Sequence, residues 1–207
     1  MELYEAIFKR RDIRHFQRRP VPHEITMKIL KAAHHAGSVG YMQPWNFVVI
    51  ESHLVKEQIL QVFEKSNAQA RKVYTGNAQK LYDSLKLQGI VDAPINIAVT
   101  CRHETADGQP VLGRHSIPEM DVYSTCCAIQ NLWLAARAEG VGVGWVSILD
   151  PHEVKKILKI PESVTLVGYL CLGFPEEFSD QPLLEKVGWR RRLSLDEVIF
   201  RNYWDER

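Results

Sequence analysis

Net charge is the first thing this sequence of 207 residues has little of: 26 Lys and Arg stand against 25 Asp and Glu, leaving +1. A chain so balanced is no general polyanion binder, although a local basic cluster stays open. Long apolar runs are missing too. No stretch of about 18 apolar residues occurs, so no membrane-spanning helix is expected. Met1-Glu2-Leu3-Tyr4-Glu5 has neither the basic nor the apolar region of a secretory leader, and a cytoplasmic, bacterial-type enzyme is the expectation. Cysteine is scarce. Cys101, Cys126, Cys127 and Cys171 make no CxxC, and the eight histidines do not join them at zinc-like spacings. Buried reduced thiols and no bound metal are expected. His34 and His35 are a poor metal pair, since neighbours on a helix point about 100° apart. What is present is ordinary for a globular protein: 45% hydrophobic and 25% charged residues, in a chain long enough to bury a sizeable core.

Leu3, Tyr4, Ile7 and Phe8 predict a short amphipathic helix before Lys9-Arg10-Arg11. After Pro20 and Pro22 a second helix should start near His23, turn Ile25, Ile29, Leu30 and Ala33 inward, and stop at Gly37-Ser38-Val39-Gly40. Asn46–Ile50, Ile95–Val99 and Thr165–Cys171 read as strands, and 54–87 as helical with breaks at Ser66-Asn67 and Thr75-Gly76-Asn77. Residues 102–119, with two glycines and two prolines, predict a long loop of the kind that covers or binds. Asp121–Ala138 is apolar nearly all round, which asks for burial on every face, inside the domain or against a second subunit. Gly140–Gly144 then leads into a strand through Trp145–Ile148, and a short helix opens near Pro151. With no repeat or low-complexity linker, residues 1–207 are drawn as one α+β domain.

Four places can carry chemistry. Arg10-Arg11-Asp12-Ile13-Arg14 puts three guanidinium groups where they can converge on a phosphate, or form a solvated basic patch. Asp12 among them either neutralises the arginines or is positioned for chemistry. Small residues at Ala36-Gly37-Ser38-Val39-Gly40 let a planar ligand approach the backbone, while Trp45 in Gln43-Pro44-Trp45 serves that ligand or anchors the core. Gly140-x-Gly142-x-Gly144-Trp145-Val146-Ser147 is not a dinucleotide fingerprint, because its glycines run from helix to strand. Close packing of the strand on a flat ligand accounts for it better, with Ser147 able to hydrogen-bond a ring edge. Gly188-Trp189-Arg190-Arg191-Arg192 is a second arginine cluster, and one anionic group held between both clusters explains the pair. Nucleic acid would need a broader basic surface and a binding module.

Together these segments resemble the nitroreductase-like flavoproteins, which share an Arg-Arg-Ser-x-Arg opening, a Pro-Ser…Gln-Pro-Trp segment, a Gly-x-Gly…Trp strand entry and a strand exit like Gly168-Tyr169-Leu170-Cys171-Leu172-Gly173-Phe174-Pro175. The resemblance implies an intertwined FMN-binding homodimer with a central mixed sheet flanked by helices. Flavin would sit at the subunit interface, helix 121–138 would pack on its mate, and the aromatic tail Phe200–Trp204 would embrace the partner. Within that superfamily the chain is most similar to the 5,6-dimethylbenzimidazole synthase family. Asp12 replaces the usual serine, Ser147 follows Gly144-Trp145-Val146, and the segments 84–90 and 112–121 match. Gly37 departs from the expected proline before Ser38.

That resemblance implies reduced FMN as substrate, consumed with dioxygen to give 5,6-dimethylbenzimidazole and erythrose 4-phosphate. A separate flavin reductase would supply it. Asp12 and Ser147 would be catalytic, Asp12 as the acid/base and Ser147 by hydrogen-bonding near the flavin N5 and holding oxygenated or oxidised intermediates in register. Arg10, Arg11, Ile13, Arg14, Ser38 and Arg192 would contact the phosphate or the ring, and Leu87 would belong to a lid that excludes water. A reductase that keeps its FMN and uses NAD(P)H is the alternative, and a flavin-binding module without catalysis is a second.

Overall fold

The computed structural model describes residues 1–103 and 108–204. Part of the predicted 102–119 loop, residues 104–107, lies outside the described residues, as do the last three residues of the chain. Four strands, β1 (Trp45–Ile50), β2 (Ile95–Arg102), β3 (Gly142–Val146) and β4 (Val164–Gly173), form one sheet in the order β1-β2-β4-β3. All three ladders are antiparallel, and the parallel component of the sheet is an isolated bridge from Asp12 to Val143.

Side chains alternate across a strand, so each central strand serves two cores. Ala98, Tyr169 and Cys171 face one side, where Ile59 and Phe63 of α3 (His53–Arg71) and Val154 of α6 (Pro151–Leu158) pack. Ile97, Val99, Leu170 and Leu172 face the other, against Ile29 and Ala33 of α2 (His23–His34) and Ile129, Leu132 and Ala136 of α5 (Met120–Ala138). Burying each such large aliphatic side chain is worth about 1.5–3 kcal/mol. Three further helices, α1 (Leu3–Lys9), α4 (Gly76–Ser84) and α7 (Leu183–Lys186), and two 3-10 turns, Val39–Tyr41 and Leu195–Glu197, complete the described elements. Among the described residues no helix is long and apolar enough to cross a membrane.

The breaks at Gly37 and Thr75 fall where predicted, but α3 runs unbroken through Ser66 and Asn67. Asn67 does not turn on the local backbone, because its Oδ1 accepts the hydroxyl proton of Tyr82 at 2.6 Å. Helix α5 is also not buried all round within the chain. Its polar Ser124 and Thr125 turn inward, while Tyr123, Cys126 and Cys127 face outward. Of the four thiols, Cys101 and Cys171 are buried as expected and the other two are exposed. Trp45 proves a core anchor: its ring is buried and its Nε1 donates to His34 Nδ1 at 3.0 Å.

Candidate active site

Past the end of α1, residues 10–14 run extended along β3. Ile13 N donates to the Val143 carbonyl at 3.0 Å, which seats the segment on the sheet. Glycine in β3 makes this approach possible. A Cβ at Gly142 would strike the Ile13 side chain, and one at Gly144 would strike the Ile13 carbonyl and the Arg14 guanidinium. The Gly-x-Gly run therefore admits the chain's own segment, where a flat ligand was expected.

The seating fixes Asp12. Its Oδ1 accepts the Trp145 amide at 2.9 Å, and its Oδ2 lies 2.6 Å from an Arg14 terminal nitrogen. Water reaches the carboxylate from the cavity side, with 44% of the side chain accessible, while protein fills the shell behind it. That burial pushes its pKa above the ordinary carboxylate value, against the opposing pull of Arg14, the Trp145 amide and Arg10. Arg14 itself is 12% exposed and spends its guanidinium on protein: Nε on the Leu87 carbonyl (3.0 Å), one terminal nitrogen on Ile13 O (3.1 Å), the other on Trp145 O (2.7 Å) and Asp12.

A cavity of about 260 Å³ opens here, lined by Arg10, Arg11, Asp12, Arg14, Leu87 and Arg192 among others. Of the second cluster, Arg192 joins the 10–14 segment at this cavity, while Arg190 and Arg191 face another and Arg191 pairs with Glu197. Arg10 stacks 4.4 Å over Trp133, and burial lowers its pKa. Arg11 gives its terminal nitrogens to the Phe8, Arg10 and Asp180 carbonyls, yet its Nε is buried with no partner among the described residues. An orphaned guanidinium donor beside three more arginines fits an anionic group. A second cavity of about 410 Å³ shares Arg11, Asp12 and Arg14 and adds His15, Glu176 and Glu177, so Asp12 stands at the border of a basic and an acidic space.

Two expected site residues stay apart from this cluster. Ser38 lines neither cavity; its hydroxyl accepts Gln43 N at 3.1 Å, and its turn is fastened to α5 by Val39 N on Ser124 Oγ at 3.2 Å. Ser147 lies just past the end of β3, exposed and outside both cavities.

A second polar cluster went unseen in the sequence. Asp121, nearly sealed at 2% exposure, has Oδ2 within 2.7 Å of both His103 Nδ1 and Arg114, while His103 Nε2 meets Thr165 Oγ1 at 2.7 Å. With Cys101 nearby, Cys101, His103 and Asp121 place their ligand-type atoms within 4.8 Å of one another. Both imidazole nitrogens and the carboxylate oxygen are already taken by protein partners, so the group is a clasp that pins both feet of the 103–114 loop to the start of α5. The only hint in the sequence was the alternation Cys101-x-His103 on a strand end, and nothing there named Asp121 as its partner.

A model described as the nitroreductase family matches residues 7–174. Among curated proteins, the chain is 43% identical over 189 residues to a 5,6-dimethylbenzimidazole synthase of Rhodospirillum rubrum, covering 91% of this chain and 89% of that one. It is 39% identical to a protein of the same description from Rhodobacter capsulatus, covering 94% and 93%. Among solved structures, an iodotyrosine deiodinase bound to FMN and 3-iodo-L-tyrosine superposes with a TM-score of 0.76 at 23% identity, over 98% of this chain and 99% of that one. The matched span takes in the Asp12 segment, the glycines that admit it and the whole sheet, and on that footing the chain belongs to the nitroreductase family.

Proposed function

We propose that this protein is a 5,6-dimethylbenzimidazole synthase: it takes reduced FMN and dioxygen and releases 5,6-dimethylbenzimidazole and erythrose 4-phosphate. The observation that carries this is Asp12, a carboxylate whose charge is disfavoured by burial, fixed at the mouth of an arginine-lined cavity. A carboxylate held in this way, with burial favouring its protonated form and one side open to the cavity, is placed to give and take a proton. Relatives of that description match across nine-tenths of the chain.

Bound here, the isoalloxazine supplies the electrons for oxygen chemistry, and this chain's residues bind, orient and dry it. Arg10, Arg11 and Arg192 hold the phosphate or the pyrimidine edge. Asp12 moves protons beside the ribityl and ring. Ile13 anchors the segment in the core, and Leu87 walls the cavity, excluding water.

Dimerisation completes the site on this reading. About 260 Å³ is below the range of about 300–1,000 Å³ that small-molecule sites occupy, and Ser38 and Ser147 stand outside it. The outward faces of α1 (Tyr4 and Phe8) and α5 (Tyr123), with Tyr203 and Trp204 of the tail, are apolar surface fit to meet a second copy. Alkylation tests this: Cys126 and Cys127 should label in a dilute monomer and be protected in the dimer.

Aerobic incubation with chemically reduced FMN, without NAD(P)H, tests the activity. Loss of flavin with appearance of 5,6-dimethylbenzimidazole supports the synthase; FMN recovered intact on reoxidation overturns it and favours a reductase.

A further inference from the structure

Arg14 sits within the cluster expected to touch flavin, but its hydrogen bonds go elsewhere. One guanidinium joins three separate parts of the fold: the Asp12 carboxylate, the Trp145 carbonyl of β3, and the Leu87 carbonyl of the segment 85–88. That segment has no regular structure, leaves α4 at Ser84 and walls the cavity with Leu85, Lys86 and Leu87. Its other ties are Leu85 N to the Tyr82 carbonyl at 3.1 Å, Lys86 to Asp92 at 2.6 Å, Gln88 Oε1 to Ile90 N at 2.6 Å, and packing of the Leu87 side chain on the core. None of these reaches Asp12, so Arg14 is what fastens the segment to the residue that carries the proton.

We propose that Arg14 is a positioning residue that couples the seating of segment 85–88 to the state of the Asp12 carboxylate, so that the cavity roof is held down when Asp12 is ionised and loosened when it is not. The geometry makes the coupling direct. Asp12 and Trp145 O share one terminal nitrogen, while Nε of the same rigid plane reaches Leu87, so a guanidinium released by Asp12 cannot keep the remaining angles unchanged. Gly144 keeps open the space in which the plane lies. The other charged or titratable groups that share Asp12's surroundings are Arg10 and Arg11 of its own segment, Lys86 of the roof, Arg192 from the C-terminal segment, Cys171 on β4, and His15, Glu176 and Glu177 in the adjoining cavity. Among the described residues, none of these bonds both the carboxylate and the Leu87 carbonyl, whereas Arg14 bonds both. Arg14 also opposes the upward push that burial exerts on the Asp12 pKa.

The proposal rests on the reading of Asp12 as proton carrier, and its test separates the two. Amide hydrogen exchange of 85–88 is measured for wild type, Asp12→Asn, Arg14→Lys, Arg14→Gln and the double variant Asp12→Asn/Arg14→Gln. Asp12→Asn alone should speed exchange there by about tenfold, the worth of one charge-assisted hydrogen bond. The double variant should be no faster than Arg14→Gln alone. In turnover of reduced FMN, Arg14→Gln should move the acidic limb of the pH profile to higher pH, and Arg14→Lys should leave that limb in place while still loosening the roof. Wild-type exchange in Asp12→Asn, or additive effects in the double variant, overturns the coupling, and the first of these reads out even if the Arg14 variants fail to fold. If the exchange pattern holds while wild type makes no 5,6-dimethylbenzimidazole, the coupling stands and the assigned activity falls.

Discussion

Two aspartates in this fold meet arginine at nearly the same distance, 2.6 Å for Asp12–Arg14 and 2.7 Å for Asp121–Arg114. They differ in what lies on the remaining side. Asp121 is sealed and bracketed: His103 shares its Oδ2 with Arg114, and Oδ1 accepts the Val122 amide at 2.7 Å. Asp12 keeps one side on a cavity, and the protein behind it raises its pKa. An Asp–Arg pair alone therefore identifies neither structure nor chemistry. What separates them is whether the carboxylate has acceptor capacity left and a space to use it in.

The largest expected effect is on chemistry at the first pair. Asp12→Asn should lower product formation by about 10²–10⁴-fold, the usual worth of a positioned proton carrier, with FMN binding kept in a fluorescence titration. The same variant should not lose global stability at neutral pH. A carboxyl whose folded pKa is raised above its unfolded value of about 3.9 is disfavoured once ionised, so removing it is neutral or stabilising above that window and without effect below it. Denaturant melts at low and neutral pH check the sign. Gly144→Ala comes next: its Cβ displaces the Ile13 carbonyl and Arg14, and a misplaced Asp12 should cost about 10²-fold in turnover. Asp121→Asn inverts the pattern, with a loss of about 2 kcal/mol in denaturant unfolding and turnover kept by the folded protein. Turnover lost in Asp121→Asn and kept in Asp12→Asn would break the contrast.

The smallest effect is at a carboxylate paired on the C-terminal 3-10 turn. Hydrogen bonds from Arg191 and Ser194 hold Glu197 down at about 2, so its contribution is present above the ordinary glutamate value and lost as pH falls through about 2. Glu197→Gln should speed amide exchange only around Ser194, leaving the unfolding midpoint where it was.

Much of this was legible in the sequence. Helical spacing found α2, and apolar runs found β1, β2 and β4. The two arginine clusters were expected to converge, and Arg10, Arg11 and Arg14 do line one cavity with Arg192. What stayed hidden was non-local. Asn67 looked like a break until Tyr82, 15 positions on, supplied its partner. In α5 the polar residues face inward because each returns a hydroxyl to its own helix, Ser124 to Met120 O at 2.6 Å and Thr125 to Asp121 O at 3.0 Å, and so can be buried without cost to satisfaction. Glycine at 142 and 144 signalled a close approach without saying what approaches. The Asp121 clasp draws on a strand end, a loop and a helix start, and no spacing rule spans those three.

The bridge between Asp12 and Val143 has a consequence for solubility. β3 is an outer strand of the sheet, and an outer strand with free amides and carbonyls is a template on which other chains pair. Residues 12 and 13 occupy part of that template. The stretch that holds Asp12 thus also serves as the guard of an open edge, and substitutions that unseat it expose an aggregation-prone rim at the same moment that they displace Asp12.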